Sequence, residues 1–234
     1  MRLICFPYAG GSASSYLNWS SWLPSEIELV AIQPPGRTTR ISETPFCNLR
    51  ELVAELVKSF SVVTTAPFVF FGHSLGARLA FELMVQCEKA GLRLPQHFIA
   101  SGSRGPQIPL REPSTHSLTD EEFIKELKNL DGAGASIYEN SELMELCLPL
   151  LRADFKASDT YLFEDSHTFN CRLSTLGGTE DNDVTKADLD SWGKFYSDYI
   201  NSYLVKGDHF FVDKNEATVK EYISKIIENE LRIL

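Results

Sequence analysis

The segment APFVFFGHSLG, residues 66–76, joins a continuous apolar run to the pattern G-x-S-x-G. The apolar residues at 68–71 predict a strand that is buried on both faces. No Gly or Pro interrupts the chain between Gly76 and Gly91, so a helix is predicted over residues 75–90. A nucleophile elbow consists of a strand, then a sharp turn that carries a serine, then a helix. It raises the serine hydroxyl above the carboxyl end of a parallel sheet.

Short apolar runs alternate with helical patterns on both sides of this elbow. That alternation is typical of a mostly parallel central sheet flanked by helices, so the predicted fold class is α/β. Asn48 and Glu51 mark the start of a helix before the elbow, and an amphipathic helix closes the chain. The other strands are predicted at residues 3–6, 27–32, 98–100, 173–176 and 203–205, and a further helix at about 189–199.

Glycine and proline residues interrupt the chain near residue 105, and the pattern beyond them is helical. One helix is predicted from the capping pair Thr119 and Glu122 to residue 130, and another follows Ser141. No strand pattern occurs between residues 106 and 165. The predicted domains are a core of residues 1–111 and 166–234 and a helical insertion of residues 112–165.

Composition narrows the class of protein. The 234 residues include 43% hydrophobic and 23% charged residues, which is typical of a folded globular domain of this length. No apolar run approaches the roughly 18 residues that a membrane-spanning helix needs, so no membrane association is expected. The net charge of -10 argues against a nucleic-acid partner, because neutralising phosphates requires a basic surface.

Cysteine usage and the first residues predict the cellular compartment. The five cysteines are an odd number without a C-x-x-C pair, which indicates reduced thiols and no zinc site. Pro7 interrupts the apolar start of the chain, so the core of a signal peptide is missing there. A cytoplasmic location is therefore expected.

A serine nucleophile needs a base and an acid, which follow the serine in the order acid, then histidine, in this architecture. His209 comes after the last predicted strand and just before the final helix, so it is the predicted base. The loop after the preceding strand carries several carboxylates. Asp181 is the predicted acid, because it can turn back under the sheet edge toward His209. Its competitors Glu180 and Asp183 are expected to face solvent.

Two backbone N–H groups are needed to stabilise the oxyanion that forms during acyl transfer. Leu75 is one predicted donor, because it follows the serine at the N-terminus of a helix, where the helix dipole assists. The second donor is predicted in the loop after the first strand, where Gly10 and Gly11 let the backbone approach closely. Ala9 is favoured there, and Tyr8 is the alternative.

Five motifs together resemble one known family. They are FPYAGGSASSY at 6–16, QPPGR at 33–37, GHSLGA at 72–77, PLLRADF at 149–155 and GDHFF at 207–211. In combination they resemble the stand-alone type II thioesterases that accompany nonribosomal peptide and polyketide synthases. The resemblance covers nearly the whole chain.

This resemblance implies an α/β-hydrolase fold with a mobile helical lid at the insertion. It also implies hydrolysis of aberrant or stalled acyl groups from the phosphopantetheine arm of carrier proteins, with Ser74, Asp181 and His209 as the catalytic triad. The expected partners are acyl or peptidyl carrier protein domains. No metal or cofactor is expected beyond the phosphopantetheine of the partner, and the protein is expected to be a monomer.

The long, thin phosphopantetheine arm requires a channel. The residues expected to contact the substrate are Tyr8, Phe123, Leu127, Leu146 and Phe210. Those in the insertion have an equally good alternative, which is to pack the lid against the core. Arg37 and Arg40 are candidate contacts for the pantetheine phosphate or for an acidic helix of the carrier protein, although surface arginines often have no specific partner.

Other functions remain open from the sequence. A GHSxG string also occurs in malonyl-type acyltransferases, which do not need a later Asp and His in this order. An acyltransferase acting on a small alcohol or amine, or a small-molecule carboxylesterase, would use the same triad. A catalytically silent carrier-binding protein would lack a member of the triad, and none is missing here.

Overall fold

The computed structural model describes residues 1–109, 114–131 and 141–233. Within these residues, six strands form one sheet in the order β2-β1-β3-β4-β5-β6, and every neighbouring pair is parallel. The strands are β1 Arg2–Phe6, β2 Glu28–Ala31, β3 Phe68–His73, β4 His97–Ser101, β5 Phe169–Gly178 and β6 Tyr196–Val205. The predicted parallel α/β sheet is therefore confirmed.

Helices flank this sheet, and the start signals read from the sequence are found where they were predicted. The helices are α1 Leu49–Phe60, α2 Leu75–Lys89, α3 Asp120–Asp131, α4 Ser141–Asp159, α5 Lys186–Asp190, α6 Phe211–Lys214 and α7 Glu216–Ile233. The side chain of Asn48 accepts hydrogen bonds from the N–H groups of Arg50 and Glu51. Thr119 and Glu122 cap α3 reciprocally, each side chain accepting from the other residue's N–H group.

The sheet is buried on both faces, because successive side chains of a strand point to opposite sides. In β1, Ile4 and Phe6 belong to the core that contains α1 and α2. Leu3 and Cys5 belong to the opposite core, which contains α7. All four side chains are fully buried. The central strands are therefore held rigidly, and their carboxyl ends present a fixed platform for the loops that follow.

Helices α3 and α4 lie between β4 and β5 in the chain, where the helical insertion is predicted. Their buried side chains Phe123, Leu127 and Met144 form a small cluster separate from the two cores beside the sheet. No strand occurs in the described residues of this segment. The predicted boundary between core and insertion, at residues 111 and 112, lies outside the described residues. The lid role of the insertion stays a prediction.

The helix predicted at about residues 189–199 is wrong. The short helix α5 ends at Asp190, a 3-10 helix covers Ser191–Phe195, and β6 begins at Tyr196. Aromatic residues favour strands, and pairing with β5 adds a ladder of backbone hydrogen bonds to that preference, although the register shifts between Phe169 and Arg172 and between Leu173 and Ser174. Tertiary pairing therefore overrides the apparent helical spacing of the apolar residues.

Candidate active site

Ser74 occupies a strained turn between β3 and α2. Its backbone angles are φ 54° and ψ −118°, and a positive φ is uncommon for a residue other than glycine. The two flanking glycines make the turn possible: a Cβ at Gly72 would lie 2.4 Å from the carbonyl oxygen of Gly76, and one at Gly76 would lie 2.1 Å from that of Phe6. The local geometry is that of a nucleophile elbow.

His209 bridges Ser74 and Asp181. Its Nε2 atom lies 3.0 Å from the Oγ atom of Ser74, and its Nδ1 atom lies 2.8 Å from Oδ2 of Asp181. Because an ionised carboxylate only accepts hydrogen bonds, the Nδ1–H group donates to Asp181 and Nε2 is left to accept from the serine hydroxyl. The three residues predicted from the sequence thus form one continuous hydrogen-bonded chain.

The environment of Asp181 keeps its carboxylate ionised. The side chain is only 1% exposed, and burial alone would raise its pKa. The hydrogen bond and charge of His209, with the N–H groups of Asp183 and Val184 at 2.9 and 3.1 Å from Oδ1, outweigh burial and lower the pKa of Asp181 below its ordinary value. Asp208, the residue before His209 in the chain, pairs with Lys214 at 2.7 Å and not with the His209 ring.

Backbone hydrogen bonds hold the acid loop against the histidine loop. The N–H of Thr179 donates to the carbonyl of Val205 at 2.9 Å, and the N–H of Glu180 donates to that of Gly207 at 2.8 Å. These bonds extend the pairing of β5 and β6 beyond the ends of the strands. Consequently the loop that carries Asp181 is fixed in register with the loop that carries His209.

The predicted oxyanion donors Ala9 and Leu75 both line the cavity beside Ser74. Leu75 begins α2, where the first N–H groups of a helix have no intrahelical acceptor. Among the described residues, the N–H groups of Ala9 and Leu75 have no hydrogen-bond acceptor. Tyr8, the alternative donor, also lines the cavity, and its hydroxyl donates to Asp213 at 2.8 Å.

The cavity beside Ser74 measures about 130 Å³ and extends between the sheet edge and the helical insertion. Three of the residues predicted to contact the substrate line it, namely Tyr8, Leu127 and Phe210. Three apolar residues of the insertion that were not predicted also line it: Leu130, Leu151 and Phe155. Their helical spacing indicated an apolar face, but spacing does not distinguish a cavity wall from a packed core.

Two other predicted contact residues lie elsewhere. Phe123 is fully buried inside the insertion, where its ring packs edge-on against Phe155 and beneath the guanidinium of Arg152. Leu146 is 76% exposed on α4 and does not line the cavity. Phe123 therefore neither lines the cavity nor packs the insertion against the core, because it packs within the insertion.

Two buried arginines also line the cavity and were not predicted. Arg78, on α2, donates to the carbonyls of Ser158 and Tyr161 at 3.3 and 3.1 Å. Burial, with the nearby charge of Arg104, lowers the pKa of Arg78 to about 10. Arg104 donates to the carbonyl of Asp183 at 3.0 Å. These guanidinium groups tie the end of α4 and the acid loop to the sheet edge.

The two arginines considered as phosphate or carrier contacts are already engaged. Arg37 is 5% exposed and forms a bidentate ion pair with Asp154 on α4, so it cannot meet a partner at the surface. Arg40 pairs with Glu43 and donates to the carbonyl of Gln33 at 2.9 Å. The expected surface contact is therefore wrong for Arg37. The sequence did not predict its burial, because a charged pair between residues far apart in the chain has no local sequence pattern.

Across the described ranges, no cluster of three or more His, Cys, Asp or Glu side chains is arranged to bind a metal ion. In the same residues no helix combines the length and apolarity required to cross a membrane.

Comparison with known proteins places these features in a family. Residues 1–229 match the thioesterase domain family. The chain is 37% identical over 225 residues to the gramicidin S biosynthesis protein GrsT of Aneurinibacillus migulanus, covering 96% of this chain and 88% of that protein.

Solved structures agree with the sequence comparison. ClbQ from the colibactin NRPS/PKS pathway superposes with a TM-score of 0.93 at 33% identity, covering 100% of this chain and 99% of that one. YbtT, a type II thioesterase from the yersiniabactin NRPS/PKS pathway, superposes with a TM-score of 0.84 at 29% identity, covering 97% and 91%. The fold is therefore that of an α/β-hydrolase, and the chain belongs to the thioesterase family, whose members hydrolyse thioester bonds.

Proposed function

We propose that this protein is a type II thioesterase that hydrolyses aberrant or stalled acyl groups from the phosphopantetheine arm of carrier proteins in nonribosomal peptide or polyketide synthesis. The family match and the pathways named for GrsT, ClbQ and YbtT support this substrate class. The observation that carries the chemistry is the hydrogen-bonded chain of Ser74, His209 and Asp181, of which Ser74 and His209 line the cavity.

Acylation of Ser74 is the first step of the proposed reaction. His209 Nε2 takes the hydroxyl proton while Oγ attacks the thioester carbonyl carbon, and Asp181 stabilises the imidazolium that forms. The resulting oxyanion accepts hydrogen bonds from the N–H groups of Leu75 and Ala9. The C–S bond then breaks, and His209 returns its proton to the departing pantetheine thiolate.

Hydrolysis of the acyl-enzyme completes the cycle. His209 removes a proton from a water molecule, whose oxygen attacks the ester carbonyl of acylated Ser74. The second tetrahedral intermediate uses the same N–H groups, and its collapse returns the proton to the serine oxygen and releases a carboxylic acid. Because the chain's own side chains and water supply every group, we propose that the enzyme uses no metal or cofactor.

The cavity suits a short acyl group attached to a long arm. It is small, it lies directly beside Ser74, and α3 and α4 supply four of its apolar lining residues. We propose carrier-protein domains as the partner, a monomeric enzyme and a cytoplasmic location. All five cysteines are free thiols, which is compatible with a reducing compartment.

Deacylation of a carrier protein tests this proposal. Carrier proteins loaded with acetyl and longer acyl groups are incubated with the enzyme, and intact-protein mass spectrometry follows the return of the free thiol form. We expect kcat/KM on the acetylated carrier to exceed that on p-nitrophenyl acetate. A larger value on the free ester would instead indicate a small-molecule carboxylesterase.

The same assay separates the remaining alternatives. A small alcohol and a small amine are added as acceptors, and the released acyl product is identified. We expect the free carboxylic acid to be the main product. An ester or amide as the main product would identify an acyltransferase, and a carrier that is bound but never deacylated would identify a silent binding protein.

A further inference from the structure

A buried ion pair joins the helical insertion to the loop that carries the proposed oxyanion donor. Arg37 Nη2 and Nη1 each lie 2.8 Å from an oxygen of Asp154, and the two side chains are 6% and 5% exposed. Taking two charges out of water is costly, and apolar residues of similar volume often stabilise a fold as well or better. The position of this pair therefore calls for an explanation other than stability.

The pair binds the backbone next to Ala9 directly. Oδ2 of Asp154 accepts a hydrogen bond from the N–H of Gly10 at 2.8 Å. Arg37 Nη1 donates to the carbonyl of Gly11 at 2.9 Å. Together these bonds hold the Ala9–Gly10 and Gly11–Ser12 peptide groups. The N–H of Ala9 itself has no acceptor within the described ranges. Movement of the Asp154 carboxylate would thus reorient the loop at the proposed donor.

The helix that supplies Asp154 also forms the cavity wall. Leu151 and Phe155, on the same part of α4, line the cavity beside Ser74. Leu151 also packs against the oxyanion loop, since a Cβ at Gly10 would lie 2.6 Å from its Cδ2 atom. Seating of α4 and the conformation of the oxyanion loop are therefore mechanically linked.

We propose that Arg37 and Asp154 are a positioning pair, which couples the seating of α4 over the acyl cavity to the geometry of the oxyanion loop. The inference rests on the proposed function, because it assumes that Ala9 donates to the oxyanion. With α4 seated, the loop is held in the form that stabilises the transition state. With α4 displaced, the loop loses its anchor and the chemical step slows.

A pair of matched variants tests this coupling. Arg37→Met with Asp154→Leu removes both charges without leaving either one buried and unpaired. The control, Arg152→Met with Asp120→Asn, removes an ion pair between Arg152 on α4 and Asp120 on α3, in which Asp120 is 68% exposed. Cooperative unfolding, followed by circular dichroism, establishes that each variant is folded. Arg37→Lys and Asp154→Asn serve as conservative variants if the apolar pair does not fold.

The kinetic readout separates positioning from simple structural support. We expect kcat to fall at least about tenfold in the Arg37/Asp154 variant while KM changes by less than about threefold, because a misplaced oxyanion donor weakens only the transition state. Affinity for a trifluoromethyl ketone, which forms a tetrahedral adduct with Ser74, should fall in parallel. Affinity for the carboxylic acid product should not change, and the control should match wild type.

Wild-type kcat and unchanged trifluoromethyl ketone affinity in a folded Arg37/Asp154 variant would overturn the inference. All rates are measured on both the acetylated carrier and p-nitrophenyl acetate. Failure of the proposed function would appear as a wild-type enzyme that cleaves the free ester but not the carrier thioester, and the comparison of variants would still be made on that ester.

Discussion

The ring of His73 holds the main chain of His209 in place: its Nε2 atom lies 3.0 Å from the carbonyl oxygen of His209. Because a carbonyl only accepts, Nε2 carries the proton, and Nδ1 is left to accept from the Ser101 hydroxyl at 2.9 Å. Burial, with the nearby charge of His209, lowers the pKa of His73 to about 3. His73, the residue before the proposed nucleophile, is therefore a neutral support for the proposed catalytic base.

This arrangement predicts how stability depends on pH. The unfolded chain binds a proton at His73 below about pH 6.5, whereas the folded protein excludes it until about pH 3. The contribution of His73 to the free energy of unfolding should therefore be complete above about pH 6.5. On acidification towards pH 3 the free energy of unfolding should fall by up to about 1.4 kcal/mol per pH unit. Chemical denaturation across this range measures the slope, which should decrease in His73→Gln. His167→Gln, at a partly exposed surface site, is the control. An unchanged slope in His73→Gln would refute this assignment.

Replacement of the proposed acid should slow chemistry without unfolding the protein. Asp181→Asn removes the charge that orients and stabilises the His209 imidazolium, so kcat should fall by several orders of magnitude, roughly 10⁴-fold in a serine triad. Asp183→Asn is the matched neighbour, since Asp183 contacts the triad through its backbone N–H, which the substitution keeps. Steady-state kinetics on an acylated carrier compares them. A greater loss in Asp183→Asn would contradict the assignment of Asp181.

The elements around the triad were predictable because their signals are local. The run at 68–71 followed by G-x-S-x-G defines a strand, a turn and a helix within one short segment, and it located Ser74. The order of strands then left His209 and Asp181 at the same sheet edge. By contrast, the start of β6 at Tyr196 depends on pairing with β5. No local sequence pattern predicts that pairing.

The contacts that the sequence did not reveal are those between distant residues. Arg37 and Asp154 are 117 positions apart, and their pairing depends on how α4 lies over the sheet edge. Phe123 and Phe155 share an apolar pattern, yet one packs inside the insertion and the other lines the cavity. Periodicity identifies an apolar face, whereas the neighbour that covers each side chain is set by tertiary structure.

Acyl-chain preference should change when the cavity is enlarged. Leu127→Ala removes a buried side chain from the cavity wall, so longer acyl groups should gain in kcat/KM relative to acetyl, by about tenfold or more. Leu146→Ala provides the comparison, because Leu146 is exposed on α4 and should leave the preference unchanged. A panel of carrier proteins bearing acyl groups of increasing length measures both. Equal profiles for Leu127→Ala and wild type would mean that the acyl group does not occupy this cavity.

Hydrogen exchange should show that the insertion opens more easily than the core. The cluster that joins α3 to the first part of α4 is small, so amides there should exchange faster than those of α2. The last turns of α4 should exchange more slowly, because Asp154 pairs with Arg37 and the carbonyl of Ser158 accepts from Arg78.

Ligand binding should then protect the insertion selectively. A carrier protein with a non-hydrolysable acyl-pantetheine should slow exchange in α3 and α4 and leave α7 unchanged, because the arm is proposed to lie between the insertion and the sheet edge. Mass spectrometry of peptic peptides reports each helix separately. Strong protection of α3 and α4 without ligand, with no change on adding it, would show that the insertion is a rigid part of the core.

The rate at which Ser74→Ala deacylates an acetylated carrier protein tests whether Ser74 is the nucleophile of the proposed reaction. Ser158→Ala is the matched control, because Ser158 lines the same cavity and keeps the backbone carbonyl that Arg78 binds. We expect Ser158→Ala to retain activity near that of wild type, and Ser74→Ala to lose at least about a thousandfold, because the acyl-enzyme cannot form. Deacylation by folded Ser74→Ala at more than a few per cent of the wild-type rate would show that Ser74 is not the nucleophile.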